Sequence, residues 1–420
     1  MTRGGSRETL SVKILMRINI GRLLNDIETL AQFGATPEGG VRRLALTAED
    51  KAARDWIVGR MRELGLEVSI DRIGNIFGLR AGAEQCPPVM TGSHIDTVGH
   101  GGKLDGPYGV LAGLEIIRVM NEAGAAAKRP LCVAVFTNEE GVRFQPDMMG
   151  SLAFAGGISL EEALAAADRD GVTAGEALAA IGYAGEAEMG ALAPHAFIEL
   201  HIEQGPVLEA EGVAIGAVEN LQGISWREIT VTGQANHAGT TPMGLRRDAG
   251  LAAAEIVIQA RRLAAEIEGQ MATVGAIRFA PGSINVVPGA ATLTIDLRNT
   301  NEARLKMAED ELDAFLNELA AREGLAIASK SLARFAPVAF DARLADLIEE
   351  NARALGHSVI RMTSGAGHDA QMMARICPAA MIFAPSTDGV SHNPREHTAP
   401  EALEAGANVL LRVMATLAEA

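Results

Sequence analysis

Five short segments of this sequence carry side chains that bind divalent cations. They are Ser93-His94-Ile95-Asp96, Leu104-Asp105-Gly106, Asn138-Glu139-Glu140-Gly141, Glu199-Leu200-His201-Ile202-Glu203-Gln204 and Ser391-His392-Asn393. Neutral imidazole and carboxylate suit zinc, manganese, cobalt or nickel. Bound at such ligands, these ions activate water and polarise carbonyl groups. Each segment alone has a plainer meaning. A lone histidine near a strand end is more often a hydrogen-bonded core residue. An Asp before Gly is usually a turn, and a Glu pair is usually surface. Five such clusters, each at or near an expected strand tip, are hard to reach by chance. Together they predict a metal centre.

The elements that must position these residues can be read from apolar runs and turn signals. Helices are expected over Ile18 to Phe33 and, after a Gly-rich entry and with Thr47 a good N-cap, over Gly40 to Leu64. A strand pair turns at Gly74-Asn75. Buried strands are expected at Pro88 to Ile95, Leu131 to Thr137, Ala196 to Ile202 and Pro378 to Pro385. An apolar helix, Gly109 to Asn121, separates the first two. This alternation predicts an open α/β sheet, whose ligand site lies beyond the C-terminal strand ends. Residues 160–192 read as Ala-rich helices. From residue 222 the pattern changes to strand, helix, strand, strand, helix: Ile224 to Gly233, Asp248 to Ala265, Met271 to Phe279, Ala291 to Asn299 and Glu302 to Arg322. Three parts follow. Residues 1–221 open a catalytic domain, of which 1–15 read as a poorly ordered extension. Residues 222–337 form an inserted α+β domain, and 338–420 complete the first domain.

Composition bounds the partners. The 420 residues include 53 acidic and 37 basic side chains, a net charge of −16. That balance argues against nucleic acid or an anionic membrane. Hydrophobic residues make up 48% and aromatics 4%, which suits a soluble α/β protein built on Ala, Gly, Leu, Ile and Val. No apolar stretch approaches the roughly 20 residues of a membrane span. The apolar run Val12 to Met16 is too short for a signal peptide. Cys86, Cys132 and Cys377 form no C-x-x-C pair. Cys132 and Cys377 are expected as buried free thiols, with a cytoplasmic location as the default.

Taken together, the motifs resemble the amidase branch of the dinuclear zinc, M20-type metallopeptidase superfamily. That branch holds N-carbamoyl-L-amino acid hydrolases, allantoate amidohydrolases and β-ureidopropionases. The matching segments are Thr-Gly-Ser-His-Ile-Asp-Thr (91–97), Gly-Gly-Lys-Leu-Asp-Gly-Pro-Tyr-Gly-Val-Leu-Ala-Gly (101–113) and Phe-Thr-Asn-Glu-Glu-Gly-Val-Arg-Phe (136–144). Further on come Glu-Leu-His-Ile-Glu-Gln-Gly-Pro (199–206), Ala-Asn-His-Ala-Gly-Thr-Thr-Pro-Met (235–243) and Ile-Asn-Val-Val-Pro-Gly (284–289). Ser-Gly-Ala-Gly-His-Asp-Ala (364–370) and Ser-His-Asn-Pro (391–394) close the set.

The resemblance implies an aminopeptidase-like mixed sheet flanked by helices, with an inserted lid or dimerisation domain. It implies two divalent ions per subunit, zinc first, with manganese, cobalt or nickel as alternatives. Asp105 would bridge them, His94 and His201 would complete one position, and Glu140 and His392 the other. Asp96 would accept the free ring nitrogen of His94; otherwise it is a turn cap. A cis peptide is implied between Asp105 and Gly106. Glu139 would carry a proton from water to the leaving nitrogen, unless it is a surface carboxylate. His237 would stabilise the oxyanion, donated across a homodimer; otherwise it is a turn histidine.

Arg298 would grip a substrate carboxylate, with Asn285 and Gln204 as polar partners. Its plainer reading is a pairing with Asp296, two residues away on one strand face. Gln204 could instead cap the loop at Gly205-Pro206, and His368 more often supports a loop than touches substrate. The expected activity is hydrolysis of N-carbamoyl-L-amino acids to the amino acid, carbon dioxide and ammonia. Allantoate, carbamoyl-β-alanine and other ureido acids are the alternatives, and a non-catalytic metal-binding scaffold is a remote one.

Overall fold

Four strands of the chain are buried along their whole length: Val89–His94, Leu131–Phe136, Ala196–Ile202 and Ala379–Ala384. They run parallel to one another, and parallel strands covered on both faces read as nearly continuous apolar runs. The computed structural model describes residues 16–420; the expected extension over 1–15 lies outside the described residues. The chain divides into two units, one holding residues up to 219 together with 340–420, the other 220–339.

Across the first unit the sheet order is Glu67–Ile70, Ile76–Arg80, Leu131–Phe136, Val89–His94, Ala196–Ile202, Ala379–Ala384, Ile215–Leu221, with Val359–Ser364 also paired to the last. The flanking strands are antiparallel, so the sheet is mixed. The helices Pro107–Glu122 and Pro400–Leu417 pack on its central strands. Both begin with proline, whose missing N–H costs nothing in a first turn. Thr47 caps Ala48–Glu63 by accepting the Asp50 N–H, as its position in the sequence predicts. Residues 160–192 hold two short helices, Leu160–Ala165 and Ala174–Ile181; 182–192 is not helical. Cys132 is buried, whereas Cys377 is only half-buried, a departure from the buried thiol expected there. Among the described residues no helix is long and apolar enough to cross a membrane.

A buried ion pair braces the strand tip that carries Glu139. Arg54 and Asp50 are fully buried and meet at 2.8 Å. Arg54 also donates to the Gly74 carbonyl at 2.7 Å and to the Thr137 hydroxyl at 3.3 Å. Asn75 accepts the Thr137 N–H at 2.9 Å from the same side. Removing one partner strands a buried charge. Arg54→Ala is therefore expected to lower unfolding stability by about 3–5 kcal/mol, read from the urea midpoint.

The second unit carries a four-stranded antiparallel sheet ordered Ala326–Phe335, Gly223–Thr232, Ala290–Asn299, Met271–Ala280. Helices Ala249–Glu266 and Glu302–Glu323 cover one face. Strand Ala290–Asn299 alternates strictly, burying Leu293, Ile295 and Leu297 against Ile256, Leu263, Leu312 and Leu316. Thr292, Thr294, Asp296 and Arg298 take the opposite face. Ala326–Phe335 is a strand the sequence pattern does not announce. Most of its positions are exposed, so no apolar alternation marks it.

Candidate metal centre

The C-terminal ends of the four parallel strands gather the predicted ligands. His94 ends one strand, His201 lies in the next, and Glu139 and Glu140 follow a third. His392 sits in the loop after the fourth, and Asp105 lies just before helix Pro107–Glu122. All belong to the first unit.

Asp105 stands at the middle. Its Oδ1 lies 3.1 Å from His201 Nε2 and 3.6 Å from His94 Nε2. Its Oδ2 lies 3.2 Å from His392 Nε2 and accepts the Gln204 amide at 2.8 Å. Glu140 Oε2 is 3.6 Å from His392 Nε2. Two cation-sized groups, His94–Asp105–His201 and Asp105–Glu140–His392, have Asp105 in common; a third among the described residues, Glu199–His201–His368, is wholly buried. A cleft of about 150 Å³ opens on this cluster, lined also by Glu139 and His368.

Hydrogen bonding shows that the cluster fits a cation. His94 Nδ1 faces the Asp96 carbonyl at 2.9 Å, and His201 Nδ1 faces the Ile202 carbonyl at 2.8 Å. Carbonyls only accept, so both Nδ1 atoms carry the proton. Each Nε2 then presents a lone pair to a carboxylate oxygen of Asp105. Two acceptors face each other unless a proton or a metal ion lies between them. Charge tells the same story. Burial opposes a charge on His94, yet Glu139 and Asp105 hold its pKa well above the usual range. Burial, reinforced by Asp369, Glu140 and Asp105, holds Glu139 well above the ordinary carboxylate range. Burial first and then Asp105 push Glu140 up to about 8. Bare, the cluster gathers protons; divalent cations would replace them.

Backbone strain concentrates here. Asn138, Met148, Gln204 and His392 all take φ between 50° and 58° without being glycine. Such residues persist where the surrounding structure over-determines them. The Met148 N–H donates to the Glu139 carbonyl at 2.6 Å, and the Asn138 amide donates to the Phe144 carbonyl at 2.9 Å.

Two implied details are corrected. His94 Nδ1 is held by the carbonyl of Asp96, not by its carboxylate, whose nearer oxygen is 3.9 Å away. The carboxylate instead accepts the N–H groups of Glu139 and Glu140 at 3.2 and 3.3 Å. Asp96 thus fixes the proton-carrier segment rather than the ring. Second, the cis bonds among the described residues are Gln145–Pro146 and Ala280–Pro281; Asp105–Gly106 is trans. The turn is made by Gly106 at φ 80°, which donates its N–H to His201 Nε2 at 3.1 Å. A Cβ there would come within 2.5 Å of the His94 ring.

His237, Asn285 and Arg298 lie in the second unit. His237 is exposed, and its Nδ1 accepts the N–H groups of Gly239 and Thr240 at 3.0 and 3.2 Å. Its Nε2 therefore carries the proton and can donate. Asn285 is its neighbour, since the Ala238 N–H donates to the Asn285 carbonyl at 3.0 Å. Arg298 grips Asp296, with Nη2 to Oδ2 at 2.8 Å and Nε to Oδ1 at 3.1 Å.

Other residues at the site were given no ligand or catalytic role by the sequence. Glu199 is buried beneath His201, accepting the Ser93 hydroxyl at 2.6 Å and the Ala370 N–H at 2.8 Å. Its signal was available: residues 199 and 201 share one strand face. Asp369, buried beside it, accepts the Ser151 hydroxyl at 2.5 Å. His368 meets Ser364 Oγ at 3.0 Å, edge-on to the His201 ring, and burial keeps it neutral.

A profile described as "Peptidase family M20/M25/M40" matches residues 90–416. An N-carbamoyl-L-amino-acid amidohydrolase of Rhizobium meliloti is 40% identical over 96% of this chain and 97% of its own length. The allantoate amidohydrolase of Bacillus subtilis is 37% identical over 93% and 96%. A crystal structure of an amidase of the hydantoinase/carbamoylase family from Burkholderia multivorans superposes with a TM-score of 0.93. It is 46% identical, with 96% and 98% of the two chains covered.

Proposed function

The chain belongs to peptidase family M20/M25/M40, and within it we propose a dinuclear amidohydrolase acting on N-carbamoyl-L-amino acids. One observation carries this reading: Asp105 turns one oxygen to His94 and His201 and the other to His392, with Glu139 alongside but in neither group. Two relatives named for ureido substrates, a carbamoyl amino acid and allantoate, support the substrate class.

His94, Asp105 and His201 would hold one divalent ion, and Asp105, Glu140 and His392 the second. Zinc is the first choice, with manganese, cobalt and nickel as alternatives. When bound, such a pair lowers the pKa of water toward about 7 and polarises the carbonyl. Glu139 takes the proton from the attacking water and returns it to the departing nitrogen. The N–H of His237 donates to the carbonyl oxygen as it becomes anionic. Arg298 holds the substrate carboxylate, with Asn285 and Gln204 as neutral partners, which requires Arg298 to exchange Asp296 for substrate. The products are the amino acid, carbon dioxide and ammonia.

A homodimer is part of the proposal, with His237 acting from the second copy. The edge strand Met271–Ala280, with Met271, Ile277 and Phe279 exposed, supports it. The three unpaired cysteines favour a reducing cytoplasm. The test is ammonia release from N-carbamoyl amino acids, carbamoyl-β-alanine and allantoate, each with the four metals. Carbamoyl amino acids are expected to be the best substrates. Faster turnover of allantoate or carbamoyl-β-alanine would move the assignment within the family. No ammonia from any of them would remove the ureido reading.

A further inference from the structure

The two cation positions are not held with equal rigidity. His94 and His201 stand on buried strands, their side chains 2% and 0% exposed, and a carbonyl fixes each ring. His392 stands on a loop, 52% exposed and in the left-handed region. Among the described residues no hydrogen bond holds its Nδ1. Its ring is therefore placed by whatever places its loop.

One side chain ties that loop to the segment of Asp105. Glu396 is 5% exposed. Its Oε1 accepts the N–H groups of Leu104 and Asp105 at 2.8 and 3.2 Å. Its Oε2 accepts the hydroxyl of Ser391, the neighbour of His392, at 3.1 Å. The Ser391 oxygen also lies 3.3 Å from Asp105 Oδ2. A single carboxylate, 291 positions from Asp105, thus ties the Asp105 segment to the His392 segment. The seat is tight, because a Cβ on Gly102 would come within 2.2 Å of Oε1. The Asp105 segment has further anchors in the Gly106 N–H to His201 and the Gln204 amide. The His392 segment depends more heavily on the Ser391 link.

We propose that Glu396 is a positioning residue for the cation held by Asp105, Glu140 and His392, and that the His94–His201 position forms without it. The inference rests on the dinuclear reading above. Partners that orient metal ligands typically cost 10–100-fold in affinity when removed.

The test uses the full chain, stripped with a chelator and titrated with Mn²⁺ by calorimetry. Retained ions are counted by mass spectrometry, and circular dichroism checks the fold. Wild type is expected to bind two ions. Glu396→Ala should weaken the second ion about 10–100-fold and leave the first unchanged. Glu396→Gln keeps an acceptor for both N–H groups and can donate to Ser391. It should stay within about tenfold of wild type. If Glu396→Ala fails to fold, Ser391→Ala removes the hydroxyl that Glu396 Oε2 and Asp105 Oδ2 share, leaves the Glu396 bonds to the Leu104 and Asp105 N–H groups in place, and should weaken the same ion. Unchanged binding of both ions by the Ala variants overturns the inference alone. So does equal loss of both ions, or a Gln variant as weak as Ala, which would make the role one of charge. Wild type binding a single ion would remove the dinuclear reading and this inference with it.

Discussion

Glu139→Gln is expected to lower kcat by about 10²–10⁴-fold with little change in KM and no change in bound metal. The split follows from its place. Its Oε2 lies 3.5 Å from His94 Nε2, at the edge of the cluster but in neither cation group. The backbone around it is pinned three times: by Asp96 to its N–H, by Met148 to its carbonyl, and by the left-handed Asn138 before it. Glutamine matches its shape and cannot carry the proton. Single-turnover ammonia release and ion counting on the same sample check this. Undiminished turnover would sink the proton-carrier role, and a lost ion would make Glu139 a ligand instead.

Asp105→Asn is expected to lose both ions together and to bring hydrolysis below detection. An amide cannot bring one negative charge to two cation positions at once. Even without metal the variant should be less stable than wild type: burial opposes the Asp105 charge, yet His201, His392 and His94 hold its carboxyl well below the ordinary carboxylate range, and a neutral amide forfeits those interactions. What also disappears is the metal-linked gain, about 2.7 kcal/mol when free metal is 100-fold above Kd. Thermal unfolding with and without Mn²⁺ reads it directly. A variant that still gained stability from Mn²⁺ would show that Asp105 is not the shared ligand. Glu396→Ala, by contrast, should retain the ion at His94 and His201.

Much of the fold was legible because burial writes itself into sequence. Val89–His94 and Leu131–Phe136 are covered along their length, so their apolar runs announce them. Ala290–Asn299 is covered on one face and alternates accordingly. Ala326–Phe335 and Val359–Ser364 went unannounced, since neither has a fully covered face. Asp296 and Arg298 illustrate the opposite limit. Their shared face follows from strand periodicity, but only the structure shows the guanidinium gripping the carboxylate.

Residue type and position at a strand tip were enough to nominate five segments, because cation chemistry is selective about its ligands, and the family resemblance singled out His94, Asp105, Glu140, His201 and His392 within them. Tertiary structure alone decided how they are aimed. That Asp105 splits its oxygens between two histidine groups is set by contacts across two strands and two loops. That Asp96 offers its carbonyl to His94 and its carboxylate to Glu139 and Glu140 depends on which way one peptide faces. Glu396 carried no signal at all. Its partners, Leu104 and Asp105, lie some 290 residues away and meet it through backbone N–H groups, which every sequence contains and only a folded chain directs.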